Sequence, residues 1–546
     1  MPASDKTRDQ AEGTAPFSIS GAGDTVYLSD GTGIYDSMDT GALRYGYTSG
    51  RAAGDMTGKR VFFSAPTRGE ANGTALGAPL NPPEFSENGG IVKSAFKLEL
   101  TGEGSIYYTT DGSEPTEASN LYSGPISISE NTVITAACFS QGRVPSEAVS
   151  RTYLFEDPHS VPIVCLSAAP GDFSYVYSST TRPKGKSDVM ERKCYIEYYE
   201  TDGTLGTAFP GGFRVSGNST RVYSQKSLSV YLRAGYGQPD VAYPFFDDYP
   251  ITVFEGFTLR NAGQNIDGTR ISDAYAGMVF RDLNLDTSQC RFVAVYVNGK
   301  YWGVYDLKES LNEDCLASQH GVDIDTVNVV RRNIQTLSGS NAQVKDVYSK
   351  AQSWNTSDDE TFEKFCEYVD DDAWIDYVVA RALTGDGDLF NQKLWNTEDY
   401  TVKWRPIFYD CDFAFAGRGQ NTINAYWTGT GVASPDGSLT NMYIPTALKK
   451  NAGWRDKFVR RAAVIIKDFK ENSLELYDKM TDELRPEIPR QISRWGNPTG
   501  GVSGWESKIK NQREVIASRP ATVARQIQSS FGVSSEQMQE LFEGII

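Results

Sequence analysis

Two aspartates and one asparagine in the C-terminal half of the chain have the types and spacing that phosphoryl transfer uses. Asp386 and Asn391 stand five residues apart in GDGDLFNQKLW, and Asp410 ends the short apolar run RPIFYD. Such a reaction in a protein kinase asks for an Asp that orients the acceptor hydroxyl and an Asn five residues later on a metal. A further Asp holds the metal that bridges the nucleotide phosphates. An apolar strand ending at Asp410 would anchor that carboxylate at a cleft, and hard oxygen ligands of this kind suit magnesium. The same residues also read as a solvated acidic turn, since an Asp and an Asn five apart arise by chance. His-Arg before the first Asp is replaced by Thr384-Gly385, and Asp410-Cys411-Asp412-Phe413 stands where Asp-Phe-Gly is usual.

Competing chemistries lack their residues. The chain has only two histidines, His159 and His320, so any imidazole base must be one of them and carboxylates are the expected chemical groups. Seven scattered cysteines without a C-x-x-C pair exclude zinc-ribbon and thioredoxin readings and are expected to be buried free thiols. Gly185-Lys186-Ser187 ends like a phosphate-binding loop, but Thr180 stands where the leading glycine is needed. Asp386-Gly387-Asp388 begins like a calcium hand, but Phe390 and Asn391 break the pattern. No G-x-S-x-G elbow is present.

The elements that must position the three residues follow from length and periodicity. The 546 residues predict about three or four domains. The net charge of −17 disfavours nucleic acid and anionic membranes unless cations are locally concentrated. No apolar run of membrane-spanning length occurs, and the polar start Met1 to Thr14 shows no signal peptide. Residues 1–16 are expected to be disordered. Residues 17–78 read as β hairpins whose apolar faces need another sheet. Residues 83–155 read as a second β unit with Asp111-Gly112-Ser113-Glu114-Pro115 as its strongest turn. Residues 157–546 read as one α+β unit with strands to about residue 331. Helical periodicity follows through Phe362, Phe365, Trp374, Tyr377 and Val378, with Asp372 as a cap, and helices are expected near 454–484 and 505–529. Trp302, Tyr305, Trp395 and Trp404 are read as core, and Tyr107, Tyr108 and Tyr122 as half-buried strand residues.

Three resemblances add to this reading. GDTVYLSDGTG, SGR and PTRGEAN in residues 17–78 resemble the second half of a lamin-tail-like domain, which implies a start inside a domain; a small self-contained β module is the alternative. IYYTTDGSEPT and LYSGPISISENTVITAACFSQGRVPSEAVSRTYLF resemble the immunoglobulin-like domain at the C-terminus of chitobiase-type enzymes. FRVSGNSTRVYSQKSLSVYLRAGYG, FTLRNAGQN, VAVYVNGKYWGVYDLKESLNEDCLASQHG, GDGDLFNQKLW and KWRPIFYDCDFAFAG resemble, in order, the spore coat protein H (CotH) kinase family. That likeness covers roughly residues 160 to 532.

The resemblance implies a multidomain chain. N-terminal β-sandwich-like modules precede an α+β atypical protein-kinase-like fold with a sheet-rich first lobe and a helical second lobe. It implies an enzyme that moves the γ-phosphoryl group of ATP, with Mg2+ or Mn2+, to Ser or Thr of secreted or surface proteins. Asp386 matches the catalytic aspartate and Asn391 the asparagine after it. Asp410 matches the first metal-binding acid of a D-x-D pair and Asp412 the second, either being a candidate for the principal ligand, with Asp410 preferred. Lys226 is the candidate phosphate lysine, on a strand over Ser227 to Leu232, and Glu309 its acidic partner. Gly217 and Asn218 belong to the turn expected to approach the phosphates, with Arg260 and Asn261 as weaker candidates. Family and modules imply an extracellular or cell-surface bacterial protein, with carbohydrate or cell-wall contact assigned to the β modules. The alternative is a degenerate scaffold that binds carbohydrate or protein. Glycoside hydrolysis finds no acid pair.

Overall fold

Alternation of apolar residues closes the first part of the large unit into a barrel. Phe257 and Leu259, and across from them Leu307, point inward, as do Val293, Val295, Phe209, Phe213, Leu228 and Val230. Seven strands take part: Ile163–Ser167, Arg192–Tyr199, Leu205–Val215, Leu228–Tyr231, Gly256–Arg260, Lys300–Glu309 and Cys290–Val297, in that spatial order. Antiparallel ladders join them, and a parallel pairing of Ile163–Ser167 with Cys290–Val297 closes the ring. A barrel of this size is filled by its own side chains. Its side-chain period of two sends Thr258, Arg260, Asp306 and Lys308 to the opposite face from Leu259 and Leu307.

The computed structural model describes residue 19 and residues 23–42, 44–55, 58–184, 189–332, 334–428 and 442–546. Residues 1–16 and the Gly185-Lys186-Ser187 triplet lie outside these. A second sheet follows the barrel, ordered Gln335–Ser338, Val327–Arg331, Lys393–Thr397, Arg405–Ile407. Helices pack around it, chiefly Asp371–Thr384, Ala452–Leu484 and Gly501–Phe531. One core, including Trp374, Trp404, Trp454, Phe458, Trp505 and Ile516, joins these helices to the outer face of the barrel. The expected helices near 454–484 and 505–529 are therefore present, slightly longer. The cap is Asp370 rather than Asp372: its carboxylate accepts the Ala373 N–H at 2.9 Å. Tyr305, Trp395 and Trp404 are buried as expected, while Trp302 is only partly so. All seven cysteines are free, five of them buried. Among the described residues no helix is long and apolar enough to cross a membrane.

The N-terminal part is sheet-rich. Thr25–Ser29 pairs with Ile34–Asp39, and Thr48–Gly50 with Val61–Phe63. Tyr27, Leu28, Ile34 and Tyr35 of the first hairpin are exposed. The following unit is a five-stranded sheet, Asn120–Leu121, Ser105–Thr109, Thr132–Phe139, Val149–Leu154 and Gly90–Ile91, with smaller strand pairs over it.

This second unit is docked on the barrel through a buried acid. Glu197, on a barrel strand, accepts the Thr152 N–H at 2.9 Å, the Thr152 hydroxyl at 2.5 Å and the Tyr199 hydroxyl at 2.6 Å. Gly89 makes the close approach feasible: at φ +83°, a Cβ there would sit 2.3 Å from the Tyr199 oxygen. Hydrogen bonds to a buried charged group contribute more than ordinary ones, so Thr152→Val should lower the unfolding free energy by about 1–3 kcal/mol, read by urea titration.

A second buried acid ties the barrel entrance to the helices. His159 lies between Glu487, at 2.7 Å, and the Tyr296 hydroxyl, at 2.8 Å, and Ser160 donates its N–H to Glu487 at 2.8 Å. Burial alone would raise the Glu487 carboxyl, but the bonds from His159 and Ser160 outweigh it and hold the group below its ordinary 4.5. A depressed acid contributes stability above its unfolded pKa that is lost as pH falls through the folded value. Melting temperature should accordingly drop below about pH 4.5, and Glu487→Gln should flatten that part of the profile in thermal melts from pH 3 to 7.

Candidate functional site

The outward barrel face and the second sheet enclose a cleft of about 1180 Å³. Barrel strands contribute Arg260 and Lys308, the helix Ser272–Val279 contributes Asp273, and the end of the second sheet contributes Asn391, Asp410 and Asp412. Gly217 and Asn218 lie in the same wall.

Arg260 is the centre of the charge network. Its guanidinium reaches Asp412 at 2.5 Å, Asp410 at 3.3 Å and Asp273 at 3.2 Å. Lys308 meets the same Asp273 at 2.6 Å, and the Cys411 N–H reaches its other oxygen at 2.7 Å. Although burial opposes it, Lys308 and Arg260 hold Asp273 well below the usual carboxylate range. Burial pushes Asp412 up to about 6 against the pull of Arg260. The chain can present Asp410 and Asp412 together because Asp410 adopts a left-handed backbone, φ +58°, a conformation that Asp tolerates better than most residues. Gly263, at φ +55°, leaves the space: a Cβ there would lie 2.2 Å from an Asp412 oxygen.

Asn391 and Asp410 are in contact, the Asn391 amide donating to the Asp410 carboxylate. The Asn391 oxygen accepts from Arg332 at 3.0 Å and from the Tyr409 hydroxyl at 3.1 Å. Both oxygens of Asp412 are engaged inside the protein, one by Arg260 and one by the Gln264 N–H at 2.8 Å. Among the described residues no three or more His, Cys, Asp or Glu side chains group as a metal site.

Asp386 is placed differently from the expectation of a cleft-facing acid. Gly385, left-handed at φ +62°, ends the helix Asp371–Thr384 and turns the chain inward, so that Asp386 is fully buried beneath the cleft. One of its oxygens accepts the Asp388 N–H at 2.8 Å; the other accepts no hydrogen bond and lies 3.9 Å from Arg381. Burial pushes Asp386 up to about 6, against the pull of Arg381, and nearby Asp388 and Asp410 add to the rise. Asp388 forms part of the cleft wall, is raised by burial and by Asp410, and has one buried oxygen without a hydrogen bond.

The expected Lys226–Glu309 pair is not formed. Lys226 is buried before the strand Leu228–Tyr231, and its ammonium donates to the Arg221 and Ser179 carbonyls at 2.6 and 2.9 Å. It braces the turn at Gly217 and Asn218 from behind, together with Arg221, which holds the Val215 and Gly217 carbonyls at 2.6 and 2.7 Å. Glu309 accepts from Tyr249 at 2.9 Å and Gln319 at 3.1 Å. The physical reason is strand parity: Lys308 faces Thr258 across the ladder and shares its side, whereas Glu309 faces Phe257. Lys308 and Asp273 form the lysine–acid pair instead. Lys308 stands in the recognisable GVYDLKES string, so the signal was one residue away. Asp273 carried none, because nothing local distinguishes a helix aspartate. Asn261, the other weak candidate, is buried and bonds Ser227 and the Gln225 carbonyl.

Cations line the remaining wall. Arg182, Arg221, Arg331, Arg332 and Lys393 all border the cleft, and among the described residues no carboxylate forms an ion pair with any of them. Burial, then Arg182 and Arg332, lower Arg331. Burial, then Arg331, push Lys393 down to about 8. Several cations converging on one wall make it suited to a polyanion.

Residues 87–151 match the chitobiase/beta-hexosaminidase C-terminal domain, which covers most of the sheet unit docked through Glu197. No curated protein matches the chain. Residues 213–523, more than half of the sequence, match the model of the CotH kinase protein family. The match spans the barrel strands bearing Arg260 and Lys308, Asp273, and every acid and amide of the cleft, and the chain belongs to the CotH kinase protein family.

Proposed function

We propose that this protein transfers the γ-phosphoryl group of ATP to Ser or Thr hydroxyls of protein acceptors. The observation that carries the reading is the meeting of Asn391, Asp410 and Asp412 in one cleft with cations that form no ion pair among the described residues, in a chain whose net charge is −17. A triphosphate is the kind of ligand such a wall recognises, because Arg and Lys offset its charge while Arg also binds phosphate oxygens in a fork. Lys308 and Arg260 lie on the acidic side, and Arg331 and Arg332 on the other.

The donor set fits a magnesium or manganese ion. Asp386 and Asp388 each keep a buried oxygen without a hydrogen bond, next to Asp410, and all are hard oxygen donors. Asn391 and Asp410 would hold the ion beside the Asp386–Asp388 turn, while Asp412 orients Arg260. An ion held there would supply charge neutralisation for the transferring phosphoryl group. The protein's own work is positioning. Asp388 faces the acceptor hydroxyl, and Asp386 fixes the Asp388 backbone from below. The Asp386–Asp388 turn therefore takes the role that the motif assigned to Asp386 alone.

An extracellular or cell-surface setting is supported by the chitobiase-type module, to which contact with a cell wall or carbohydrate belongs as a proposal. A second reading, a nucleotide-free scaffold, is favoured by one observation: Arg260 already neutralises Asp410 and Asp412. Calorimetry with Mg·ATP separates the two, since the scaffold gives no metal-dependent heat.

Radiolabelled ATP and a panel of acceptor proteins test the transfer. Incorporation should vanish in Asp388→Ala and Asp410→Ala, and Asp386→Asn, which keeps an acceptor for the Asp388 N–H, should retain more than Asp386→Ala. Absence of label in any acceptor with the wild-type chain folded sinks the reading. Arg331→Ala should weaken ATP binding by about tenfold, as expected for one charge-assisted contact. Lys226→Met should act mainly on stability, lowering it by about 1–3 kcal/mol by leaving two buried carbonyls short of a donor.

A further inference from the structure

Three segments bring the site residues together, and one buried carboxylate outside the cleft bonds directly to the roots of two of them and reaches the third through Arg405. Asp286 is 2 % exposed. One of its oxygens accepts from Trp395 Nε1 at 2.6 Å and from Arg405 Nε at 2.8 Å; the other is 2.7 Å from His320 Nε2. Its carbonyl accepts the Phe408 N–H at 2.8 Å. Trp395 belongs to the strand that starts just after Asn391, and Arg405 opens the strand that leads into Asp410. Arg405 continues the chain of bonds to Asp370 at 2.9 Å, and Asp370 caps the helix Asp371–Thr384 that delivers Asp386.

We propose that Asp286 is a positioning residue of the site, fixing the spacing of Asp386, Asn391 and Asp410 through Arg405, Trp395 and His320 without touching substrate or metal. The inference deepens the phosphoryl-transfer reading and rests on it for its kinetic test. A buried carboxylate can do this because it accepts several donors at once, and charge-assisted bonds to Arg and His are directional and strong. Trp395 and Arg405 share one oxygen, so moving either strand alone breaks a bond to the other. Supporting shells of this kind hold reacting groups within the tolerance that transfer demands, and a displacement of 1 Å costs about 100-fold in rate.

The test uses the full chain with Asp286→Asn and His320→Ala. An amide at 286 removes the negative charge and one of the two acceptor oxygens that Trp395, Arg405 and His320 share, and His320, whose side chain is 24 % exposed, can be truncated with less risk to folding. With Mg·ATP and an acceptor protein, kcat per folded molecule should fall by about tenfold to 100-fold in Asp286→Asn and by a smaller factor in His320→Ala, with KM for ATP within about threefold. A residue that only stabilises the fold would lower the melting temperature and leave kcat per folded molecule unchanged, and that result overturns the proposal. Where Asp286→Asn does not fold, His320→Ala alone decides on the same terms. Should the wild-type chain transfer no phosphate, hydrogen exchange decides independently: peptides covering 386–391 and 408–412 should exchange at least about tenfold faster in His320→Ala, with the barrel peptide 290–309 unchanged. Equal exchange in those peptides overturns the proposal, while faster exchange in a chain without transfer leaves the positioning intact and removes the kinase reading.

Discussion

The guanidinium of Arg260 is the constraint on which the rest depends. It joins a barrel strand, the helix Ser272–Val279 and the segment Asp410 to Asp412 through three carboxylates, and so fixes the barrel against the second sheet at the floor of the cleft. A buried charge of this kind does not stabilise cheaply, since each ion loses its hydration. Removing one partner leaves the others uncompensated, typically at about 3–5 kcal/mol. Geometry is what the network provides. Asp410 and Asp412 are held close together in spite of their repulsion, and Asp410 remains in contact with Asn391.

Charge is distributed with the same logic. The chain as a whole is acidic, yet cations that form no ion pair among the described residues face the acids across the cleft. Local concentration, not net charge, decides what such a surface binds, because low-dielectric walls focus the field. The composition therefore excluded polyanions from most of the surface and said nothing about the one cavity where Arg331, Arg332 and Lys393 converge. Lys226 shows the converse: a lysine in the expected stretch of sequence that faces backbone carbonyls behind the loop.

The accessory sheet unit is built into the catalytic-type domain rather than tethered to it. Glu197 and Tyr199 of the barrel receive Thr152 and sit under Gly89, so the module supplies two of the donors to an acid in the barrel wall, beside the barrel's own Tyr199 hydroxyl. Asp286 and Glu487 repeat the device elsewhere: a buried carboxylate accepts donors from segments far apart in sequence and fixes their relative position.

Much of this was legible in the residues. Alternation marked the strand over Ser227 to Leu232, helical spacing marked the helices near 454–484 and 505–529, and the resemblance in motif order pointed to Asn391, Asp410 and Asp412 as parts of one site. Those are local properties, encoded by side-chain period and turn chemistry along a few consecutive residues. Which face each strand turns to the cleft was not local: a shift of one residue separates Lys308, on the Arg260 side, from Glu309, on the Phe257 side. Nor was the burial of Asp386, the recruitment of Asp273, or the convergence of His320, Trp395 and Arg405 on Asp286. Each depends on contacts between segments tens to hundreds of residues apart, and only closure of the barrel and packing of the helices against it fixes such distances.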